Sequence, residues 1–196
     1  MTYRIIGLDE VGRGSIAGPV AVGMCAVRDP QILKIFSGVK DSKALTKVGR
    51  SYWFQKIQEM PKSELIFDVA YVEARSIDRY GIGNSLRTLI ARLLKRNRVA
   101  PLARVLLDGS LRAPLVYLNQ QTIISGDAKE PIIALASIAA KVLRDRRISR
   151  YEIRYPEFSF SRHKGYGTSG HIEEIKKHGI TPEHRVSFLK KVYLPK

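Results

Sequence analysis

The sequence predicts an α/β fold, a central sheet with helices packed against it, and three observations carry that prediction. Short apolar runs with strand character alternate with longer helical runs along the chain. Three of those apolar runs, around 5–8, 103–107 and 122–124, give way to acids: Asp9 and Glu10, Asp108, and Asp127. Neighbouring strands of one sheet bring such ends together. The longest helical run opens at Pro131 and is apolar and rich in small residues through its first half, which suits it to lie close on a sheet.

Taken in order, Ile5, Ile6 and Leu8 form a buried strand that stops at Asp9 and Glu10. Successive side chains of a strand point to opposite faces, so these two acids share a ligand only if the strand is ending there. Pro19 to Val27 is a hairpin partner, joined through the turn at 14–18. A short helix at 31–36 closes at Gly38, and a polar loop with Ser42 and Lys43 precedes a helix from Lys47 to Met60, capped by Thr46 and stopped by Pro61. Ile66 to Val72 is a third strand, interrupted by the polar Asp68. Ser85 caps an amphipathic helix to about Arg98, with Leu86, Leu89, Ile90, Leu93 and Leu94 on one face. Ala103 to Leu107 is the fourth strand. The helix from Pro131 reaches about Arg150 and turns basic at Lys141, Arg144, Arg146 and Arg147, with Asp145 as an ion-pair partner. A loop at 155–168 interleaves aromatic and basic residues, a composition suited to stacking on nucleotides and pairing with phosphates. Two short helices follow, Thr168 to His178 and Pro182 to Lys190.

The 196 residues fit one domain, with about 1–155 as an α/β core and about 156–196 as a helical C-terminal region. A hydrophobic fraction of 44% argues against disorder. Lys and Arg number 34 against 18 Asp and Glu, a net charge of +16 that predicts attraction to a polyanion, nucleic acid above all. No run reaches membrane-spanning length, and the early acids spoil a signal-peptide core, so the expectation is a cytoplasmic protein without membrane contact. The single cysteine, Cys25, sits in an apolar run and packs as a buried thiol.

Carboxylates gathered without Cys or His partners make a hard-oxygen site suited to Mg²⁺ or Mn²⁺, and beside a basic surface that suggests phosphodiester chemistry. Glycoside hydrolysis also uses paired acids, but neither the charge nor the single Trp favours it. The four His, at 163, 171, 178 and 184, fall in the last fifth of the chain; the 171–178 spacing finds no Cys or third ligand to make a zinc site and reads as a solvated helix face.

Seven segments, in order, resemble the bacterial ribonuclease HII (type 2 ribonuclease H) family. They are Gly-Leu-Asp-Glu-Val-Gly-Arg-Gly (7–14), Asp-Ser-Lys-Ala-Leu-Thr (41–46), Leu-Leu-Asp-Gly (106–109), Gly-Asp-Ala-Lys (126–129), Ala-Ser-Ile-Ala-Ala-Lys-Val-Leu-Arg-Asp-Arg (136–146), His-Lys-Gly-Tyr-Gly-Thr (163–168) and His-Arg-Val-Ser-Phe (184–188). The resemblance implies a ribonuclease H-like fold, a mixed sheet flanked by helices with a small helical C-terminal region. It implies a monomeric endonuclease that cuts 5′ to ribonucleotides in RNA–DNA hybrids and at single ribonucleotides in duplex DNA, leaving 3′-hydroxyl and 5′-phosphate ends. By the same resemblance Asp9, Glu10, Asp108 and Asp127 bind the metals. Gly12, Arg13 and Gly14 contact the ribose 2′-hydroxyl and a phosphate, Tyr166 stacks on the sugar of the next deoxynucleotide, and Ser42 and Lys43 lie along the strand. The tail from Lys190 carries no readable sliding-clamp peptide. A non-catalytic hybrid-binding module is the competing class, but a pure binder gains nothing from carboxylates facing phosphate.

Overall fold

The computed structural model describes residues 3–39 and 45–193, so Ser42 and Lys43 lie outside the described residues. Five strands form one mixed sheet in the order β3-β2-β1-β4-β5. β1 (Ile5–Val11), β2 (Val20–Val27) and β3 (Leu65–Val72) make an antiparallel meander, and β4 (Arg104–Asp108) and β5 (Gln120–Ile123) run parallel beside β1.

Alternation along the strands divides the core into two layers. Ile6, Leu8, Val22, Met24, Val105 and Leu107 meet the predicted Leu86–Leu94 stripe of α3 (Ile82–Arg96), preceded by α2 (Ala74–Tyr80). Cys25, Val27 and Leu106 pack under α1 (Lys47–Glu59) and α5 (Pro131–Ser149), with a 3₁₀ turn at Pro30–Phe36 closing that side. The small residues of α5 bring its backbone onto the sheet. A Cβ on Gly23 would stand 2.2 Å from the Ala136 carbonyl oxygen, and one on Gly7 2.3 Å from that of Ile132. Thr46 Oγ1 accepts from the Gly49 N–H at 3.1 Å, the predicted cap of α1.

After β5 come the short α4 (Gly126–Lys129), then α5, α6 (Tyr151–Arg154), α7 (Phe160–His163), α8 (Ser169–His178) and α9 (Val186–Tyr193). The last helices close a third core of Ile16, Ala17, Ile148, Phe158, Phe160, Ile175 and Leu189. Asp68, polar inside β3, is answered by Arg96 of α3 at 2.7 Å.

Four local expectations are corrected. β1 continues through the acids to Val11, because β2 still pairs there (Val11↔Ala21) after the β4 ladder has stopped at Leu8↔Leu107. Ser85 is interior to α3, its hydroxyl returning to the Gly81 carbonyl at 2.9 Å, and the helix begins at Ile82. α9 begins at Val186 rather than Pro182, because the Asp78 carboxylate of α2 accepts from the Val186 and Ser187 N–H groups at 2.9 and 3.0 Å.

The fourth concerns the histidines. His178 is exposed, but His163, His171 and His184 are buried among Phe158 and Phe160. Their tautomers follow from their partners. Thr181 N–H donates to His184 Nδ1 (2.9 Å), so His184 Nε2–H donates to His171 Nε2 (3.1 Å), and His171 Nδ1–H donates to the Tyr166 carbonyl (2.9 Å). Gly165 N–H donates to His163 Nδ1 (3.1 Å), leaving Nε2–H for Glu174 (3.1 Å). Each ring accepts at one nitrogen and is therefore neutral. Burial, reinforced by repulsion from His171, holds both His163 and His184 down to about 4.

Candidate active site

Past the end of the β4 ladder β1 goes on pairing with β2, and Asp108, the last residue of β4, lies beside Asp9 and Glu10. One carboxylate oxygen from each of Asp9, Glu10 and Asp108 lies within 4.8 Å of the other two. Asp9 Oδ1 accepts from the Glu10 N–H at 2.7 Å, and Asp108 Oδ1 from the Gly126 N–H at 2.6 Å, which ties β4 to α4. The adjacent acids of β1 thus meet through Asp108, with the strand still running.

Asp127 is buried in the first turn of α4. It does not belong to the group of three that share the 4.8 Å distance, yet it stands near enough to add its repulsion to Asp9. α4 exists because Ser125 takes the left-handed conformation at φ 53°, turning the chain after β5.

The electrostatics are those of an acid cluster short of cations. Burial first, then repulsion from Asp108, Glu10 and Asp127, drives Asp9 well above the ordinary carboxylate range, against an opposing hydrogen bond from Ser137. Burial also raises Glu10, and the Arg13 guanidinium, 3.3 Å from Glu10 Oε1, partly opposes it. Glu10 Oε2 is buried and accepts no hydrogen bond among the described residues. An orphaned carboxylate oxygen in a set of hard oxygen donors fits a divalent cation such as Mg²⁺ or Mn²⁺.

The cluster opens into a cavity of about 330 Å³ lined by Asp9, Glu10, Val11, Gly12, Arg13, Gly14, Ser137, Lys141 and Tyr166. Gly12 has φ +83°, and the Arg13 guanidinium reaches Ser110 Oγ at 3.0 Å. The loop carrying Tyr166 joins the one after Gly14 through two hydrogen bonds to the Gly165 carbonyl, from Ile16 N–H (2.9 Å) and Ala17 N–H (3.0 Å). The Tyr166 ring lies 5.6 Å from Lys141 Nζ.

Sequence reasoning missed Ser137, Lys141 and Ser110. The signal was present for the first two: Ser137 is the one polar residue between Ile132 and Ala140, and Lys141 and Asp145 follow it at steps of four, on one face of α5. Ser110 carried no such signal. Asp145 pairs with Lys141 at 3.1 Å, as expected.

Beside this cavity a groove of about 600 Å³ runs between α1, α5 and α7. Lys47, Arg50, Lys141, Arg146, Arg150, Arg162 and Lys164 line it, with Asp145 the single acid among the described residues there. Burial, and repulsion from Lys47 and Lys141 against the pull of Asp145, lowers Lys164 from the ordinary lysine range. Lys141 lines both, so the basic groove adjoins the acid site.

The comparisons with known proteins agree with this architecture. The ribonuclease HII from Caldicellulosiruptor bescii is 41% identical over 191 residues, covering 97% of this chain and 89% of that protein. The structure of the PCNA:RNase HII complex from Archaeoglobus fulgidus matches at TM-score 0.77 and 24% identity, over 98% of this chain and 96% of the other. That of Bst-RNase HIII in complex with Mn²⁺ matches at TM-score 0.69 and 19% identity, over 95% of this chain and 67% of the other. The ribonuclease HII family model matches residues 6–191, and the chain belongs to that family.

Proposed function

We propose that the protein is a divalent-metal-dependent endoribonuclease, acting as a monomer, that hydrolyses the phosphodiester 5′ to a ribonucleotide. Its substrates are RNA–DNA hybrids and duplex DNA carrying single ribonucleotides, and its products end in 3′-hydroxyl and 5′-phosphate. The observation that carries this reading is the convergence of Asp9, Glu10 and Asp108, with an unsatisfied oxygen on Glu10, beside a cavity that shares Lys141 with a basic groove.

In this reading Asp9, Glu10 and Asp108 hold the cation, and Asp127 completes the charge from α4. A divalent cation such as Mg²⁺ or Mn²⁺ held by these residues would supply water activation and neutralisation of charge on the leaving oxygen. The protein supplies position and recognition. Lys141 and the groove cations take the substrate phosphates, with affinity that depends on salt through counterion release. A phosphate site alone does not distinguish RNA from DNA, so a separate group must sense the 2′-hydroxyl. The Gly12–Gly14 backbone lies on the cavity wall next to the acids, and Arg13, half-exposed, has donors facing the same space. The Tyr166 ring offers a flat face to the adjacent sugar. The manganese in the structurally similar Bst-RNase HIII is consistent with the donor set.

The test is product mapping on a duplex with one ribonucleotide, end-labelled on either side, with Mg²⁺ or Mn²⁺ and an all-DNA control. A single cut immediately 5′ to the ribonucleotide, with a ligatable 3′-hydroxyl and 5′-phosphate, is expected. Equal cutting of the DNA control, or cutting on the 3′ side of the ribose, would overturn the reading.

A further inference from the structure

The two loops that border the acid site come from opposite ends of the chain, and one buried side chain holds both. Arg144 leaves α5 and is wholly buried. Its Nε donates to the Pro19 carbonyl at 2.8 Å, one terminal nitrogen to Ser15 Oγ at 2.8 Å, and the other to the Lys164 carbonyl at 3.2 Å. Its guanidinium carbon lies 5.6 Å from the Tyr166 ring centroid. A Cβ on Gly12 would stand 2.1 Å from Arg144 Nε, so the glycine loop rests directly on the guanidinium.

Among the described residues Arg144 pairs with no carboxylate; carbonyls and one hydroxyl satisfy it. A buried cation without a counter-charge is a poor way to fill a core, where an apolar side chain of similar volume packs at lower cost. An apolar side chain, however, has no planar fork of donors to fix acceptors on two loops at once, and a lysine gathers its three donors on a single nitrogen. The charge is kept where two loops must hold a set spacing.

We propose that Arg144 is a positioning residue that sets the distance between the Gly12–Gly14 loop and the Tyr166 ring, and so governs recognition of the ribonucleotide–deoxyribonucleotide junction. The proposal rests on the endoribonuclease reading above. Arg144 is enclosed and does not touch substrate; it acts through Tyr166.

The test is a double-mutant cycle of Arg144→Lys and Tyr166→Ala. kcat/KM is measured on a duplex with one ribonucleotide, which presents the junction, and on a continuous RNA–DNA hybrid. Arg144→Lys is expected to lower the junction-to-hybrid ratio by about tenfold, the scale of one lost charge-assisted hydrogen bond. In the Tyr166→Ala background it should lower the ratio no further, since both changes remove the same contact. An unchanged ratio in Arg144→Lys, or losses that multiply in the double variant, would overturn the proposal; a merely structural role predicts the latter. Ser15→Ala is measured in parallel because it removes one acceptor while leaving the guanidinium in place. It is expected to shift the ratio in the same direction by a few-fold, and the cycle runs on it if Arg144→Lys does not fold. Should the wild type cut neither substrate, the endoribonuclease reading itself fails, an outcome distinct from any failure assigned to Arg144.

Discussion

Asp9 concentrates the conflict between stability and chemistry in this protein. It is buried beside Glu10, Asp108 and Asp127, and burial lifts its pKa well above the unfolded value. A carboxyl that holds its proton more tightly when folded contributes stability that is fully present below the unfolded pKa and is lost as pH climbs from there through the raised folded value. In metal-free protein, stability therefore falls on going from the ordinary carboxylate range toward neutral pH. Asp9→Asn removes the buried charge, so metal-free Asp9→Asn should melt a few degrees above the wild type at neutral pH. Mg²⁺ or Mn²⁺ should raise the melting temperature of the wild type and leave the variant nearly unmoved. Melting curves with and without the cation decide this, and equal cation-induced shifts would remove Asp9 from the ligand set. Tyr166 poses a second question at this scale, because its carbonyl accepts from His171 while its ring faces the cavity. Tyr166→Ala keeps the carbonyl, so incision at a single ribonucleotide should drop at least tenfold with little change in melting temperature. A large fall in melting temperature, with activity lost in proportion, would make Tyr166 a packing residue instead.

Among the elements, the contact of α5 with the sheet fixes the site, because Ser137 and Lys141 reach the cavity from a helix whose backbone touches Gly7 and Gly23. Gly23→Val should destabilise the protein by about 2 kcal/mol or more, since the new side chain meets the Ala136 carbonyl with no room to shift. Urea unfolding measures it, and a neutral result would mean that α5 can lift without cost. The strands and the main helices were legible from periodicity and caps, as the α3 stripe and Thr46 illustrate. What was hidden depended on partners far along the chain. The start of α9 is set by Asp78 of α2, and the burial of Arg144 by acceptors on two loops, so neither has a local pattern. The histidines were misread for a related reason: polar rings at surface-like spacing become core residues once each supplies the next with a hydrogen bond.

For the molecule as a whole, those rings predict sensitivity to acid. His163 and His184 are held near 4, below the unfolded value of 6.5, so the unfolded chain takes up protons first as pH falls. Stability contributed by the neutral rings is present above about 6.5 and is lost as pH drops toward about 4. His184→Gln, which keeps a donor toward His171 without a titrating ring, should be less stable at neutral pH yet lose less on acidification; an unchanged acid slope would mean that other groups set it. The acid trio was legible as apolar runs giving way to carboxylates, although β1 in fact runs on through its two acids, and the net charge of +16 pointed to a polyanion, whereas the basic groove beside the site required the fold. The central claim is that this trio cuts nucleic acid where a ribose is present. Its most direct measurement is the incision rate of a duplex containing one ribonucleotide, at saturating Mg²⁺, for the wild type and Asp9→Asn side by side. The account predicts cutting by the wild type, none of the all-DNA duplex, and a loss of about a thousandfold or more in a variant that melts cooperatively. Near-normal cutting by a folded Asp9→Asn protein would contradict it.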